Sequence, residues 1–432
     1  MLEKLKSLKA LMSPLTAFFA GTMLTSAAYS LLSSYLAIRL NSAKVPTSYV
    51  GIVLSVYYLG YIFATLSAHK IINRVGHIRA FSSYISLLSA LILLHIIWFN
   101  PLYWGILRLI EGYCMASAFI CLESWLNTRS NNQNRGMVMS LYMVTTYIGA
   151  AFGQLMLNVP DNQNVVTLIL ISVLFSVALI PVSLTALPSP DISKHKQMSI
   201  KQLYKIAPVG VIGCIISGVL VGNIYTLGAI YAEAAGLSLY HISLFMFFCI
   251  FGGMSAQIPI GRLSDIMDRR FIMMWCGSCL FFIAPWIHMF IDGSIIELAG
   301  AALLLGAGSF ILYPICVSHV NDKIDDEERV EASGLLIMLQ SFGMIIGPIV
   351  VSYLMQIFGA ISFLISFSVS NGFFVLFAFK HISFKPDVNY INITKTDPMP
   401  LNPTHIYPEI AKSDSLLDRA ANLFMHKNKN EE

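Results

Sequence analysis

An arginine and a glutamate stand three residues apart in an otherwise apolar stretch of the chain, which reads Arg108-Leu109-Ile110-Glu111-Gly112. On a helix, that spacing places the two side chains on one face, where a guanidinium can pair with a carboxylate. In a membrane segment such a pair turns toward a cavity or a polar partner, because charge facing lipid is costly. Arginine stays charged while a glutamate can gain or lose a proton. The spacing therefore predicts a buried ion pair, and a proton-relay role is favoured slightly over a purely structural one.

A second acid, Glu123, lies twelve residues beyond Glu111. On a helix this separation is about 18 Å, so Glu123 cannot share a site with Arg108 and Glu111. We interpret it as a structural or gating acid near the cytoplasmic end of its span. A contact that holds the following loop is favoured over a role in binding substrate.

The composition of the chain indicates which kind of secondary structure positions these residues. The chain has 432 residues, of which 56% are hydrophobic and 12% charged, with a mean hydropathy of +0.71. Soluble proteins carry about 25% charged residues. Apolar runs near the ~20 residues that a membrane helix needs recur from residue 15 to 379. The composition excludes soluble catalysis and nucleic-acid binding, and predicts an all-α polytopic membrane protein with twelve transmembrane helices.

The predicted spans form two groups of six. They cover residues 14–38, 50–68, 80–99, 102–126, 137–158 and 165–187, and then 207–232, 242–263, 271–291, 294–320, 335–358 and 360–380. Accordingly we expect an N-terminal six-helix bundle over 1–187, a cytoplasmic linker over 188–206, a C-terminal six-helix bundle over 207–380 and a polar tail over 381–432. The tail is rich in proline and too poor in apolar residues to form a core, which predicts disorder.

Basic residues indicate the orientation of the chain. With twelve spans and a cytoplasmic N-terminus, 24 of the 27 lysines and arginines fall in segments assigned to the cytoplasm, the exceptions being Arg39, Lys44 and Arg108. Short loops rich in lysine and arginine stay on the cytoplasmic side. The first apolar run is too long for a cleavable signal. We therefore expect a multi-pass protein of the bacterial inner membrane with both termini in the cytoplasm.

The two groups of spans resemble each other at nearly the same offset along the chain. Residues 73–76 align with 265–268 at an offset of 192, and Asn127 aligns with Asn321 at 194. Gly149 and Gly153 align with residues 343 and 347, again at 194. A shared offset indicates duplication and hence two pseudo-symmetric bundles, as in many transporters.

The predicted loop between spans eight and nine carries an acid followed by arginines and reads Gly261-Arg262-Leu263-Ser264-Asp265-Ile266-Met267-Asp268-Arg269-Arg270. A carboxylate at a helix end can accept hydrogen bonds from a neighbouring helix N-terminus and from an arginine. Such contacts could latch two helices, whereas the alternative is that the arginines only fix the topology. The counterpart between spans two and three reads Asn73-Arg74-Val75-Gly76-His77-Ile78-Arg79 and has an uncharged residue first, which predicts a weaker latch.

These loops resemble the signature loop of the major facilitator superfamily, and the Arg108 to Gly112 segment is similar to that family's fourth-span signature. Together with residues 123–127 and 134–136, the pattern looks like the YcaD-like branch of bacterial facilitator proteins. The resemblance implies the major facilitator fold, with latches that hold the outward-open state. Two departures stand out: Asn73 occupies the place of the family's acid, and Ala150 follows Gly149 where drug antiporters have proline.

Other polar residues inside the predicted spans are candidates to line a central cavity: Tyr29, Tyr142, Tyr147, Gln154, Asn223, Tyr225, Gln257, Tyr313 and Gln340. Each alone is explained more readily as a hydrogen bond between packed helices. The histidines share no spacing and the cysteines lie within spans, so neither a metal site nor a disulfide is expected.

Three classes of function compete. An enzyme would need a catalytic motif, and a sensor or scaffold would need a soluble output domain, neither of which the sequence contains. No phosphate-binding loop for ATP occurs either. We therefore expect a secondary transporter, functional as a monomer in the lipid bilayer, that needs no cofactor and uses a proton gradient to move a small organic solute. Uptake and drug or metabolite efflux both stay open.

The distribution of basic residues gives a direct test of topology. A reporter that fluoresces only in the cytoplasm, fused after Glu432, should be bright because both termini lie on that side. Whole-cell fluorescence, normalised to the amount of fusion protein, measures this. A dark but stably expressed fusion would refute the orientation.

Overall fold

The computed structural model describes residues 2–129, 135–161, 163, 165–184, 198–291, 293–325 and 328–381. Within these ranges, twelve helical segments are long and apolar enough to cross a membrane, as the sequence predicts. The predicted tail beyond residue 381 and most of the predicted linker lie outside the described residues. The chain is therefore a multi-pass membrane protein built of helices.

The first six spans correspond to one helix each: α1 Leu2–Ser42, α2 Thr47–Val75, α3 His77–Ile97, α4 Pro101–Arg129, α5 Arg135–Leu155 and α6 Val166–Ser183. The second six are formed by α8 Pro208–Ala234, α9 Leu239–Ile266, α10 Arg269–Ile283, α11 Ile295–Phe310, α12 Leu312–Asn321, α13 Arg329–Phe358 and α14 Ser362–His381. Short 3₁₀ segments, Met156–Asn158 and Ala284–Phe290, extend α5 and α10, while α11 and α12 together make the tenth span.

The predicted linker contains a helix that the sequence analysis did not anticipate. This helix, α7, spans Ile200–Ile206 and directly precedes α8. A capping box starts it: the Ser199 side chain accepts from the Gln202 amide, and the Gln202 side chain accepts from the Ser199 amide. Reciprocal capping satisfies amides that a helix start leaves unpaired. The end of the linker is therefore ordered helix.

Two helix starts near the membrane boundary, those of α6 and α4, are capped by an acidic and an amide side chain. Asp161 accepts hydrogen bonds from the amides of Val165, Val166 and Thr167 at the start of α6. Slight burial acts to raise the pKa of Asp161, but these hydrogen bonds outweigh it and hold the pKa below its usual value. Asn100 caps α4 in the same way through the amides of residues 102 and 103. The caps fix where each helix begins.

The duplication that the sequence predicts is visible in how helices pack. A Cβ added to Gly60 or Gly112 would overlap backbone of the facing helix, so α2 and α4 lie backbone to backbone. Gly252 and Gly306, which bring α9 and α11 together in the same manner, stand 192 and 194 positions later. Small residues permit such close helix approach in membranes. The two halves therefore repeat one packing scheme, with α4 aligned on α11 and α12 at an offset of 194.

The two halves meet along two helix pairs, α2 with α13 and α5 with α9, and along α1 with α8. Because successive spans alternate in direction, the ends of α1, α5 and α8 lie together with the starts of α2 and α9. We call this the Asn41 end and the opposite one the Asp265 end. Under the predicted topology the Asp265 end is cytoplasmic.

Candidate functional site

The buried ion pair predicted from the sequence is present in α4. Arg108 Nη1 donates a hydrogen bond to Glu111 Oε2 at 2.9 Å, and each residue is only 1% exposed. The Arg108 guanidinium carbon also lies 4.4 Å from the centroid of the Tyr57 ring on α2, a cation–π contact. The close α2–α4 approach at Gly112 brings this ring into place.

A third ionisable group joins the pair from α3. His95 Nδ1 lies 3.5 Å from Glu111 Oε1 and 3.2 Å from the Leu91 carbonyl oxygen. In the sequence His95 is one of several scattered histidines, and nothing in its spacing points to α4. Arg108, Glu111 and His95 are hereafter called the charged cluster.

The charged cluster has unused hydrogen-bonding capacity. Among the described residues, Arg108 Nε, Glu111 Oε1 and His95 Nε2 are buried and have no hydrogen-bond partner. A buried unpaired polar atom costs about 1–3 kcal/mol, and more when it is charged. The cluster therefore buries three ionisable side chains with polar atoms that the described protein groups do not satisfy.

The second half of the protein lacks this charge. The offset of 194 that aligns Gly112 with Gly306 places Ala302 opposite Arg108 and Leu305 opposite Glu111. Both apolar residues are fully buried. The same packing scheme is thus built without an ion pair, so the fold itself does not require one.

A cavity of about 300 Å³ lies between the two halves. Its lining comes from α1, α2, α4 and α5 on one side and α8, α12 and α13 on the other. The lining residues are Tyr29, Tyr57, Tyr58, Tyr61, Thr65, Phe119, Ile120, Glu123, Met143, Tyr225, Tyr313, Ile337, Gln340, Ser341 and Met344. Several of them, including Thr65 and Ile337, belong to the parts of their helices nearer the Asp265 end. The cavity is therefore strongly aromatic and displaced toward that end.

Glu123 lies in the wall of this cavity rather than serving only the loop that follows it. Tyr142 on α5 donates a hydrogen bond to Glu123 Oε1 at 3.0 Å. Tyr61 of the first half and Tyr313 of the second half line the same cavity as Glu123. The residues that begin the following loop lie outside the described ranges.

The other predicted cavity residues divide into two groups. Tyr29, Tyr225, Tyr313 and Gln340 line the cavity. The remainder join helices instead: Gln154 Nε2 donates to Ser30 at 2.6 Å, Asn223 Nδ2 to Ser366 at 3.2 Å, and Gln257 Nε2 to the Tyr147 hydroxyl at 2.7 Å.

Three tyrosines of α2 that line the cavity were missed by the sequence analysis. Tyr57, Tyr58 and Tyr61 come within one helical turn or so of each other, and Thr65 continues the same face at four-residue spacing. Tyr29 and Tyr57 stack with ring centroids 5.0 Å apart, which links the cavity wall to the charged cluster. The four-residue spacing of Tyr57, Tyr61 and Thr65 is visible in the sequence and indicates that they share one face of α2.

Polar contacts join the two halves at the Asn41 end. We call them the Asn41-end seam, and each connects a helix of the first half with one of the second: Asn41 to Glu233 at 2.9 Å, the Ser48 amide to Gln356 at 3.1 Å, and Asn158 to Ser243 at 2.6 Å. A Cβ added to Gly51 would overlap Ser352 in the same region. The halves are therefore tightly closed at this end.

In the predicted latch loop of the second half, Arg269 contacts two acidic residues. This side chain donates to Asp322, just after α12, at 2.6 Å and also pairs with Asp265 at 3.0 Å. Asp265 is an exposed neighbour one helical turn away, with 67% of its side chain accessible. Arg269 therefore connects the loop to the end of α12 through Asp322. This acid was not among the latch residues predicted from the sequence.

Arg270 has a different partner from Arg269. Its side chain binds Asp268, the N-cap of α10, at 2.7 Å. Partial burial acts to raise the pKa of Asp268, but hydrogen bonds from the Arg270 side chain and amide dominate and lower the pKa below its usual value. Of the remaining loop residues, Gly261 has open space beside it and Arg262 is exposed.

The corresponding loop of the first half is built differently. Gly76 has φ +88°, a conformation that favours glycine and lets α2 turn directly into α3. Asn73, Arg74 and Arg79 are exposed. At the start of α3, His77 contacts α4: its Nε2 lies 3.0 Å from the Ser124 hydroxyl.

The sequence was compared with known families and proteins. The family description Major Facilitator Superfamily matches residues 18–256 and 210–406, which together cover most of the chain. The chain belongs to the major facilitator superfamily. Among its relatives is a protein named "Uncharacterized MFS-type transporter YcaD" from Escherichia fergusonii, 29% identical over 352 residues, which are 79% of this chain and 89% of the relative. The Escherichia coli K12 protein of that name is 28% identical over 80% of this chain and 90% of its own.

Solved structures of facilitator proteins share the fold. A bacterial homologue of the human lysosomal transporter Spinster, described as inward-facing and occupied, aligns with a TM-score of 0.69 at 12% identity, over 85% of this chain and 96% of that one. The nucleoside transporter NupG aligns with a TM-score of 0.65 at 13% identity, over 88% and 100%. The Escherichia coli fucose:proton symporter FucP aligns with a TM-score of 0.56 at 14% identity, over 86% and 99%. The chain is a membrane transporter of this superfamily.

The two partners of Arg269 give a test of the loop. Asp322→Asn should lower the midpoint of thermal unfolding by about 2 °C, because it weakens a short ion pair between segments worth about 1 kcal/mol. Asp265→Asn should change it less, because that pair is local and exposed. Both purified variants are measured in the same detergent. A larger loss for Asp265→Asn than for Asp322→Asn would contradict the assignment.

Proposed function

We propose that the protein is a secondary active transporter that moves a small organic solute across the bacterial inner membrane by alternating access. On this proposal the charged cluster couples the movement to protons. The observation that carries it is the position of Tyr57, whose ring lines the cavity and also contacts the Arg108 guanidinium. One side chain thus lies between the solute cavity and the buried ion pair.

Alternating access is supported by the asymmetry between the two ends. The Asn41-end seam joins the halves at one end, while the cavity between the halves is displaced toward the Asp265 end. Under the predicted topology this arrangement is the inward-facing state. For solute to cross, the contacts from Asn41 to Glu233 and from Ser48 to Gln356 must break while the Asp265 end closes. This rocking of two pseudo-symmetric halves is the motion expected of such repeats.

Proton coupling is supported by the charged cluster. In the inward-facing state the Glu111 carboxylate is paired with the Arg108 guanidinium at 2.9 Å. On this proposal the opposite state moves Tyr57 and separates the pair, and Glu111 exchanges a proton as its surroundings change. The apolar Ala302 and Leu305 at the equivalent positions support a functional rather than a structural reason for the charge. A relative in fold, FucP, is described as a proton symporter, which adds support by analogy.

The proposal applies equally to uptake and to efflux, because the charged cluster can couple solute to protons moving in the same or the opposite direction. A deletion strain screened for altered growth or sensitivity supplies candidate solutes. The alternative from another class, a sensor that transports nothing, predicts that none of them crosses proteoliposome membranes. Movement of a solute by the purified protein would exclude that alternative.

Substitutions in the charged cluster test the coupling. Glu111→Gln should abolish accumulation driven by an imposed pH gradient while sparing exchange at equal solute concentrations, because the variant cannot carry a proton. Arg108→Ala should damage both activities, since it leaves a buried carboxylate unpaired at a cost of about 3–5 kcal/mol. Solute uptake into proteoliposomes, with and without the gradient, is the measurement.

A matched control is available on α11. Glu297 caps that helix from an exposed position, and glutamine is an accepted substitute in a capping box. Glu297→Gln should therefore accumulate solute like the wild type. Undiminished gradient-driven accumulation in Glu111→Gln would remove Glu111 from the coupling mechanism and leave the ion pair a structural role.

A further inference from the structure

The cavity wall contains many aromatic rings and a single carboxyl group. Glu123 is the one acid among the lining residues that the structure describes, and those residues include no lysine, arginine or histidine. Six of the fifteen are tyrosines. A ligand in this cavity therefore meets ring faces, hydroxyl groups and one carboxyl group.

Among the described residues, no basic side chain forms an ion pair with Glu123. Arg108 lies behind Tyr57 and is already paired with Glu111 at 2.9 Å. Glu123 has Tyr142 as its hydrogen-bond donor, which orients the carboxylate without neutralising it. The cavity thus combines a compensated ion pair behind its wall with an uncompensated acid in the wall.

Aromatic rings provide the rest of a cation site. A cation within about 6 Å of a tyrosine ring centroid is attracted by the ring face, by up to about 2 kcal/mol where water is excluded. The protein already uses this interaction between Arg108 and Tyr57 at 4.4 Å. Tyr61 on α2 and Tyr313 on α12 line the same cavity as Glu123, one from each half, so a cation bound there can contact the acid and the rings.

The fold does not need this acid and its partner. At the offset of 194, Val317 is equivalent to Glu123 and Leu336 to Tyr142. Leu336 is fully buried in the core. The second half therefore packs the same positions with apolar side chains, and the polar pair in the first half calls for an explanation other than packing.

We propose that the cavity binds an amphipathic organic cation, with its ammonium group held by Glu123 and by the surrounding tyrosine rings. The inference rests on the proposed transport function, because it names the class of solute that occupies the same cavity. It assigns Glu123 to solute binding and leaves proton coupling to Glu111. An aromatic cage around an ammonium ion is a known way to recognise such a group.

Binding to purified full-length protein in lipid nanodiscs tests this without a transport assay. The probes are benzyltrimethylammonium and phenylmethanesulfonate, which have similar size but opposite charge. Isothermal titration should detect the cation and not the anion. Glu123→Gln should weaken cation binding by about tenfold or more, since it removes the counter-charge. Tyr61→Leu should weaken it and Tyr61→Phe should preserve it, because phenylalanine keeps the ring.

The controls separate loss of binding from loss of folding. Glu297→Gln removes an acid far from the cavity and should bind the cation like the wild type, and each variant's thermal unfolding midpoint reports whether it folds. Equal cation affinity in the wild type and Glu123→Gln, tighter binding of the sulfonate, or no cation binding by folded wild type would each overturn the cation assignment. Those results would leave the transport proposal standing, whereas cation binding without any solute movement would refute transport and not the site.

Discussion

The ion pair between Arg108 and Glu111 is the interaction on which the rest of the site depends. Hydrocarbon supplies no water, so each charge must find its partner inside the protein. Arg108 finds two, the Glu111 carboxylate at 2.9 Å and the face of Tyr57 at 4.4 Å. The Tyr57 contact is possible because Gly112 lets α2 and α4 approach closely. The position of that ring in turn sets one wall of the cavity.

A mechanism follows from this shared side chain. The two halves are joined at the Asn41 end, while the cavity lies between them nearer the Asp265 end. Opening the Asn41-end seam requires α2 to move relative to α13, and α2 carries Tyr57. A shift of α2 therefore changes the surroundings of Arg108 and Glu111 at the moment when access changes. On this account, breaking the seam and protonating Glu111 are one event.

Local patterns in the sequence predicted what depends on local geometry. The helical spans, the duplication and the pairing of Arg108 with Glu111 three residues later all follow from helix periodicity and composition. Contacts between distant segments could not be read in that way. His95 reaches Glu111 only because α3 packs on α4, and Arg269 binds Asp322, which is 53 positions away, in addition to the nearby Asp265. Tertiary packing, which one sequence does not reveal, decides such partners.

The most direct measurement compares the protonation of Glu111 when the Asn41-end seam is held closed and when it is free to open. Cysteines replacing Ser48 and Gln356, whose amide nitrogen and Oε1 lie 3.1 Å apart, allow a short reducible cross-linker to hold the Asn41 end closed. Infrared difference spectra of cross-linked and reduced protein in lipid then report carboxyl protonation. The account predicts a protonated-carboxyl band that is present only in the reduced protein and is lost in Glu111→Gln. Identical spectra for the two forms, or a band that persists in Glu111→Gln, would contradict it.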